Sequence, residues 1–317
     1  MLCGMKETLE EGRLCISPCN LCPRECRVDR IAGQKGYCLI DQRILVARAA
    51  LHMWEEPCIS GEKGSGTVFF SGCNLRCVFC QNYEIAAGKR GEEITVERLA
   101  EIFLELQTKG AANINLVTPD HQLIAIIQAI AIARKKGLDL PIVYNGSGYE
   151  KPEAIDHLSG AVDIFLTDFK YMDPELSEKY SKAPDYPEVA KKALARMVEI
   201  AGEPVFDGDG MMRKGVIVRH LLLPGHKKNA RKVIQYVYET YGSRVFLSLM
   251  NQYTPLGRLK ENPCYAELCR KVTKWEYEAV IDYAIGLGVE NAFIQEGETA
   301  VESFIPDFNG EGVRIAD

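Results

Sequence analysis

A chain of 317 residues with 47% hydrophobic content is long enough for one large domain with a full core, alone or with a small appendage. A net charge of -6 without a basic stripe argues against general nucleic-acid binding, and the cluster Arg134-Lys135-Lys136 reads as the cationic last turn of a helix. No apolar run approaches the roughly 20 residues of a membrane span, so the unusual feature is the twelve cysteines.

In chain order, the expected units are a cysteine-rich appendage at 1–65, a main domain at 66–296 and a tail at 297–317. Nothing in Met1–Arg13 resembles a secretory signal, because Glu7, Glu10 and Glu11 interrupt any apolar stretch. The expected location is cytoplasmic, where thiols stay reduced and grouped cysteines point to metal rather than to disulfides. Cys19, Cys22, Cys26 and Cys38 make C-x2-C-x3-C-x11-C. So short a segment buries little core, and a metal would staple it. Four thiolates suit a structural zinc or a second iron–sulfur cluster. Cys15 adjoins this group; Cys3, Cys58, Cys264 and Cys269 read as scattered thiols. Arg43–Ala49 alternates as a strand, and the Gly/Ser-rich loop Ile59–Gly66 marks the expected domain boundary.

The β-rich run Thr67–Phe70 leads into Ser71–Asn82, which carries Cys73, Cys77 and Cys80 as C-x3-C-x2-C. A strand end and a tight loop can aim three thiolates at one point, one fewer than an ordinary cluster or structural zinc takes. Three ligands on a cubane leave one iron open to a small molecule. Cys15, Cys19 and Cys22 repeat the spacing without a preceding strand or an aromatic before the last cysteine, and read as coincidence.

Strands and helices then alternate. Thr95 caps a helix with Val96, Leu99, Ile102, Phe103 and Leu106 on one face, ending at Lys109-Gly110. Asn113–Val117 is a strand, followed by a helix burying Leu123, Ile124, Ile126, Ile127, Ile130 and Ala131. Further strands fall at Pro141–Asn145, Val162–Thr167, Gly215–Leu223 and Val245–Met250, with a last short one at Asn291–Gln295. Helices fall near Glu188–Ile200, Asn229–Tyr241 and Glu276–Gly286. Repeated βα units imply an α/β fold with a parallel sheet and ligands at the strands' C-terminal ends. About six units suit a partial barrel, short of a closed eight-fold one. The strands end in Thr118 and Asp120, Asn145 and Ser147, Asp168 and Lys170, Arg219, and Gln252. Any one of these reads equally as a cap or turn; five such sets together need partners or a ligand.

With aromatic Phe79 before the last cysteine, the Cys73–Cys80 loop resembles the signature of the radical S-adenosylmethionine (SAM) superfamily. The resemblance implies a partial (β/α)6 barrel and a [4Fe-4S] cluster on Cys73, Cys77 and Cys80. It also implies reductive cleavage of SAM to methionine and a 5′-deoxyadenosyl radical that abstracts hydrogen from a substrate. Asp168-x-Lys170, Arg219 ahead of Pro224-Gly225, and Asn82 are similar to residues around SAM in the pyruvate formate-lyase activating branch. Cys19-x2-Cys22-Pro23-Arg24-x-Cys26 resembles activase-related proteins of undefined substrate. The expected SAM neighbours are therefore Phe79, Asn82, Thr118, Asp120, Asn145, Ser147, Asp168, Lys170, Arg219 and Gln252, with no side chain required as general acid or base. The Gly-Gly-Glu-like stretch usual after the second strand is replaced by Val117-Thr118-Pro119-Asp120, where Thr118 and Asp120 offer other acceptors. Expected partners are a flavodoxin- or ferredoxin-like electron donor and a protein or peptide substrate, a glycine of a glycyl radical enzyme being the leading case. The chain is expected to be a monomer or weak oligomer. The alternatives are a radical SAM enzyme acting on a peptide or small molecule, and a non-catalytic binding protein stapled by zinc at both cysteine groups. The latter needs Cys58 or His52 as a fourth ligand beside Cys73–Cys80.

Overall fold

The structure, a computed structural model, describes residues 8–9, 14–295 and 306–314. The expected leader reading at 1–13 and most of the tail lie outside the described residues, apart from the backbone of 8–9 and the stretch 306–314. In chain order the strands are β1 (Thr8–Leu9), β2 (Leu14–Cys15), β3 (Ile44–His52), β4 (Ser65–Phe70), β5 (Glu92–Ile94), β6 (Ile114–Val117), β7 (Ile142–Gly146), β8 (Ile164–Asp168), β9 (Val205–Phe206), β10 (Met212–Leu221), β11 (Phe246–Met250) and β12 (Ala292–Ile294). The α-helices are α1 (Pro57–Ser60), α2 (Tyr83–Ala86), α3 (Val96–Thr108), α4 (Leu123–Lys135), α5 (Pro152–Asp156), α6 (Pro174–Ser181), α7 (Tyr186–Ala201), α8 (Lys227–Tyr241) and α9 (Lys274–Leu287).

One ten-stranded sheet runs β5-β3-β4-β6-β7-β8-β10-β11-β12, with β9 paired to β10 off the path. Every pairing from β4 to β12 along this path is parallel, while β3 and β5 are antiparallel additions at one end. The fold is thus α/β with helices over a parallel sheet that stays open at both ends, as in a partial barrel. The Gly/Ser-rich loop read as a domain boundary joins β3 to β4, two paired strands of this one sheet.

Local sequence explains the helices. Thr95 accepts a hydrogen bond from the Arg98 N–H and starts α3, whose buried face includes Leu99, Ile102, Phe103 and Leu106. In α4 the buried stripe runs through Ile126, Ala129, Ile130 and Ala133 at helical spacing, and Ala131, expected inside, falls on the exposed side. Glu276 completes a capping box with Thr273 at the start of α9 and also accepts the Gly225 N–H at 2.8 Å. Residues 306–314 pack on the outer strands: Ala49 N–H donates to Glu311 O, Gly310 N–H to Ala47 O, and Phe308 meets Phe69 edge-on at 5.4 Å. Among the described residues, no helix is long and apolar enough to cross a membrane.

Side chains alternate along each strand, so each inward set forms layers. The lowest layer is apolar: Val143, Ile164, Leu166, Ile217, Phe246 and Phe293 cluster with Cys58 and Ile59 of α1. Above it on the same faces stand Asn115, Asn145, Asp168, Arg219 and Ser248. The opposite faces of the strands meet the helices in the main core.

Candidate active site

A cleft of about 270 Å³ opens at the C-terminal ends of the strands. It is lined by Cys73, Cys77, Phe79, Cys80 and Asn82 from the loop after β4, and by Thr118, Asn145, Ser147, Asp168, Lys170, Arg219 and Gln252 from the later strand ends. Of the residues singled out from the sequence for the main domain, only Asp120 lies elsewhere. The cleft also takes in Glu55, Trp54 and His52, which no motif marks.

The polar floor is one hydrogen-bonded network. Parallel register sets Arg219 opposite Asp168, and the Arg219 Nε donates to Asp168 Oδ1 at 3.0 Å. The same guanidinium reaches Asn145 Oδ1 at 2.5 Å and Glu55 Oε2 at 3.3 Å. Glu55 Oε1 accepts from Asn115 Nδ2 at 3.2 Å and Asn145 Nδ2 at 3.4 Å. Lys170 Nζ pairs with Asp168 Oδ2 at 2.5 Å. Burial opposes the Asp168 charge, yet Lys170 and Arg219 outweigh it and hold the carboxyl below its ordinary value. Burial likewise opposes the Lys170 charge, and Asp168 and Cys77 restore it. Burial pushes the Glu55 carboxyl up in spite of Arg219. Tyr186 braces the set from behind, donating to Ser147 O at 2.8 Å while its oxygen accepts the Lys170 N–H at 2.9 Å. Arg219 thus places three of its five donors on Asp168, Glu55 and Asn145, whereas Lys170 places one of its three on Asp168.

The three loop cysteines face this floor. Burial raises all three thiols, Cys80 to about 11, so thiolates persist here only beside compensating positive charge. Donors already point at the sulfurs: Leu75 N–H to Cys73 at 3.4 Å, Ser181 Oγ to Cys77 at 3.0 Å and the Asn82 N–H to Cys80. Among the described residues, no three His, Cys, Asp or Glu side chains converge on a point from which one metal ion could be held. Three thiolates lining one cleft are the donor set of a cubane that keeps one iron open to a ligand. Cys58, the fourth ligand that a zinc reading requires, lies in the apolar layer beneath the cleft. His52 packs its ring edge-on to Phe69 at 6.3 Å.

Phe79 stands between Tyr180 and Tyr253, ring centroids 6.3 and 6.5 Å away, and offers an apolar wall. Thr118 holds φ +56°, which a β-branched residue rarely adopts. His220, next to Arg219, points away from the cleft and meets Phe169 O through Nδ1 at 2.7 Å; burial holds it neutral, at about 4.

Asp120 was expected beside Thr118 as a SAM acceptor or a helix cap, and it is neither. It begins a 3-10 turn at Asp120–Gln122, caps no helix, and is 4% exposed with no hydrogen-bond partner for either carboxylate oxygen. The turn rotates it behind the cysteine loop, where its charge acts on Cys73, Cys22 and Cys38. The N-terminal cysteines thus lie against the loop. Arg24 ties the two segments together, donating to Asn74 O at 2.8 Å, Lys182 O at 2.5 Å and Ser181 O at 3.1 Å.

A family model described as the radical SAM superfamily matches residues 67–236. An uncharacterized protein of Methanocaldococcus jannaschii is 28% identical over 276 residues, covering 84% of this chain and 74% of its own. The pyruvate formate-lyase 1-activating enzyme of Escherichia coli is 27% identical over 117 residues, 35% of this chain and 47% of the enzyme. The chain thus spans about half the length of that enzyme. Streptococcus suis SuiB bound to S-adenosylmethionine shares 14% identity with a TM-score of 0.44, covering 71% of this chain and 48% of SuiB.

Proposed function

The chain belongs to the radical SAM superfamily and is an enzyme of that type, and on that premise we propose that it cleaves SAM reductively in the cleft and abstracts hydrogen from a protein or peptide. The observation that carries the proposal is the meeting of three buried cysteines with the Asp168–Lys170–Arg219 network in one cleft. When bound, a [4Fe-4S] cluster supplies the electron that splits SAM into methionine and the 5′-deoxyadenosyl radical. The chain's own residues do the rest by holding. Cys73, Cys77 and Cys80 ligate the cluster. Lys170 takes the SAM carboxylate; Asp168, Asn145, Ser147 and Thr118 accept from ammonium and ribose groups. Phe79 walls the adenine, and Asn82 and Gln252 close the rim. Arg219 and Glu55 keep the acceptors in place. No side chain acts as general acid or base.

Within this reading the substrate is a glycine of a partner glycyl radical enzyme, supported by the activating-enzyme relatives. A peptide or small molecule is the alternative. The electron donor is an acidic flavodoxin- or ferredoxin-like protein: in a chain of net charge -6, Arg76, Lys182 and Arg258 stand exposed around the cluster loop. Arg258 also donates to Val78 O at 3.0 Å. Cys19, Cys22, Cys26 and Cys38 hold a second metal group, either zinc or a cluster.

The test is anaerobic. The protein is reconstituted with iron and sulfide, mixed with SAM and dithionite, and assayed for 5′-deoxyadenosine, with Cys77→Ala as control. Product from the parent alone is expected. A brown parent protein that neither forms 5′-deoxyadenosine nor binds SAM in a titration would refute the proposal. For the substrate, a glycyl signal in electron paramagnetic resonance is expected when a glycyl radical enzyme of the same organism is added; failure with every such enzyme moves the reading to the alternative.

A further inference from the structure

Helix α6 ends against the cluster loop, and its last residues are tied to it. The Val78 N–H donates to Tyr180 O at 2.9 Å. Ser181, the final residue of α6, donates through Oγ to Cys77 Sγ at 3.0 Å. Lys182 then leaves the helix with φ +54°, while its N–H returns to Glu178 O. Arg24 takes the two carbonyls left at this turn, Ser181 O at 3.1 Å and Lys182 O at 2.5 Å, and its Nε holds Asn74 O of the cluster loop at 2.8 Å. Helix end and loop thus share one clamp, which keeps the Ser181 hydroxyl on the sulfur.

The hydroxyl is also supported from behind. Tyr171 and Ser181 are both fully buried, and Tyr171 Oη lies 2.8 Å from Ser181 Oγ. Tyr186 meets the Tyr171 ring edge-on, with centroids 5.3 Å apart, and fixes it. Chemistry sets the direction of the protons. A sulfur bound to iron carries no proton and only accepts, so Ser181 gives its single proton to Cys77. The serine oxygen is then left to accept, and Tyr171 donates to it. Two O–H groups therefore point in series at one sulfur, each polarising the next. The donor at Cys73 differs in kind: the Leu75 N–H, at 3.4 Å, is a backbone group that any residue except proline supplies. The donor at Cys77 depends on which side chain stands at position 181.

We propose that Ser181 and, behind it, Tyr171 are positioning residues that set the reduction potential of the cluster held by Cys73, Cys77 and Cys80. The inference rests on the proposed function for that cluster and does not depend on its substrate. Reduction adds one electron from the donor to the cluster; no bond in the chain forms or breaks, and both hydroxyl protons stay where they are. The added negative charge spreads onto the ligating sulfurs, so a hydrogen bond to Cys77 is stronger in the reduced state than in the oxidised one. The relay thus raises the potential and eases uptake of the electron. A serine that served only to satisfy its own buried hydroxyl would leave the potential unmoved.

The full chain is reconstituted with iron and sulfide without oxygen, and the midpoint potential is read by electron paramagnetic resonance during a titration with dithionite and redox mediators. The signal followed is the one that Cys77→Ala removes. In Ser181→Ala the ratio of reduced to oxidised cluster at a fixed potential is expected to fall about tenfold, a midpoint lower by about 59 mV for one electron. Tyr171→Phe should move it the same way by less, and Ser181→Thr, which keeps a hydroxyl, should restore most of the shift. In the parent, electron–nuclear double resonance should show a proton coupled to the reduced cluster that is lost in deuterium oxide and in Ser181→Ala. Equal midpoints in the parent and Ser181→Ala overturn the inference, as does a higher midpoint in the variant or a parent spectrum without that proton. Where iron content or circular dichroism shows that Ser181→Ala has lost its cluster or fold, Tyr171→Phe decides by the same criterion. A parent with no signal that Cys77→Ala removes refutes the cluster and the inference with it, whereas such a signal with unshifted midpoints leaves the proposed function standing.

Discussion

At the scale of single residues, Lys170 and Arg219 carry the same charge and do different work. Among the described residues the Lys170 ammonium has a single protein partner, Asp168, whereas Arg219 holds three groups of the network together, Asp168, Asn145 and Glu55. Lys170→Met should therefore weaken SAM binding by about 10- to 100-fold with little loss of stability, since a hydrogen bond to a charged group is worth about 1.5–3 kcal/mol. Arg219→Met should lower stability as well, by about 3–5 kcal/mol, because it leaves the buried Glu55 without its ion-pair partner while Asp168 keeps Lys170. SAM titration and thermal melts of both variants check this; equal melting temperatures would refute the distinction. Asp168, Lys170 and Arg219 were legible in the sequence because they end recognisable strands. Glu55 was not: it follows β3 in a segment without period or motif, and only the barrel interior brings it to Arg219. Asp120 was legible as a polar strand end, but its direction depends on a 3-10 turn that no residue pattern announces.

At the scale of elements, Glu276 shows how a helix cap becomes a tie between units. Its carboxylate accepts from Arg270, from Thr273 N–H at 2.9 Å and from Gly225 N–H ahead of α8. Arg270 first, then these N–H groups, hold the carboxyl below its ordinary value of 4.5 against the cost of burial. A depressed carboxyl contributes stability above its unfolded value and loses it as the pH falls below about 4.5. Glu276→Gln should cost about 2 kcal/mol at pH 7, about 3 °C in melting temperature, and the gap to the parent should narrow below pH 4.5. A gap unchanged between pH 7 and pH 3 would refute this account. The helices with a clean apolar face were readable in advance. The short α5 and α6 and the strand β5 were not, being too brief for any period to emerge.

At the scale of the whole molecule, the open sheet is closed off by segments from both ends of the chain. β3 pairs along β4, and residues 306–314 lie over β3 with Phe308 on Phe69. A chain ending after residue 305 should melt several degrees lower, since it exposes Phe69 and frees the Ala47 and Ala49 backbone groups. An unchanged melting curve would show that this stretch adds nothing. The parallel core was legible because each strand and helix carries its own period; the added edges were not, because pairing across such distances leaves no local trace.

The position of Glu55 bears on how this protein can be divided. The stretch matching the family, 67–236, holds the three loop cysteines, Asp168, Lys170 and Arg219. It omits the carboxylate beneath Arg219, which arrives from upstream of the Gly/Ser-rich loop. A graft of that stretch into a related scaffold would carry an arginine that kept Asp168 and lost its second carboxylate. Portability here is set by the ion pair rather than by the motif, and the smallest transplantable unit begins no later than Glu55.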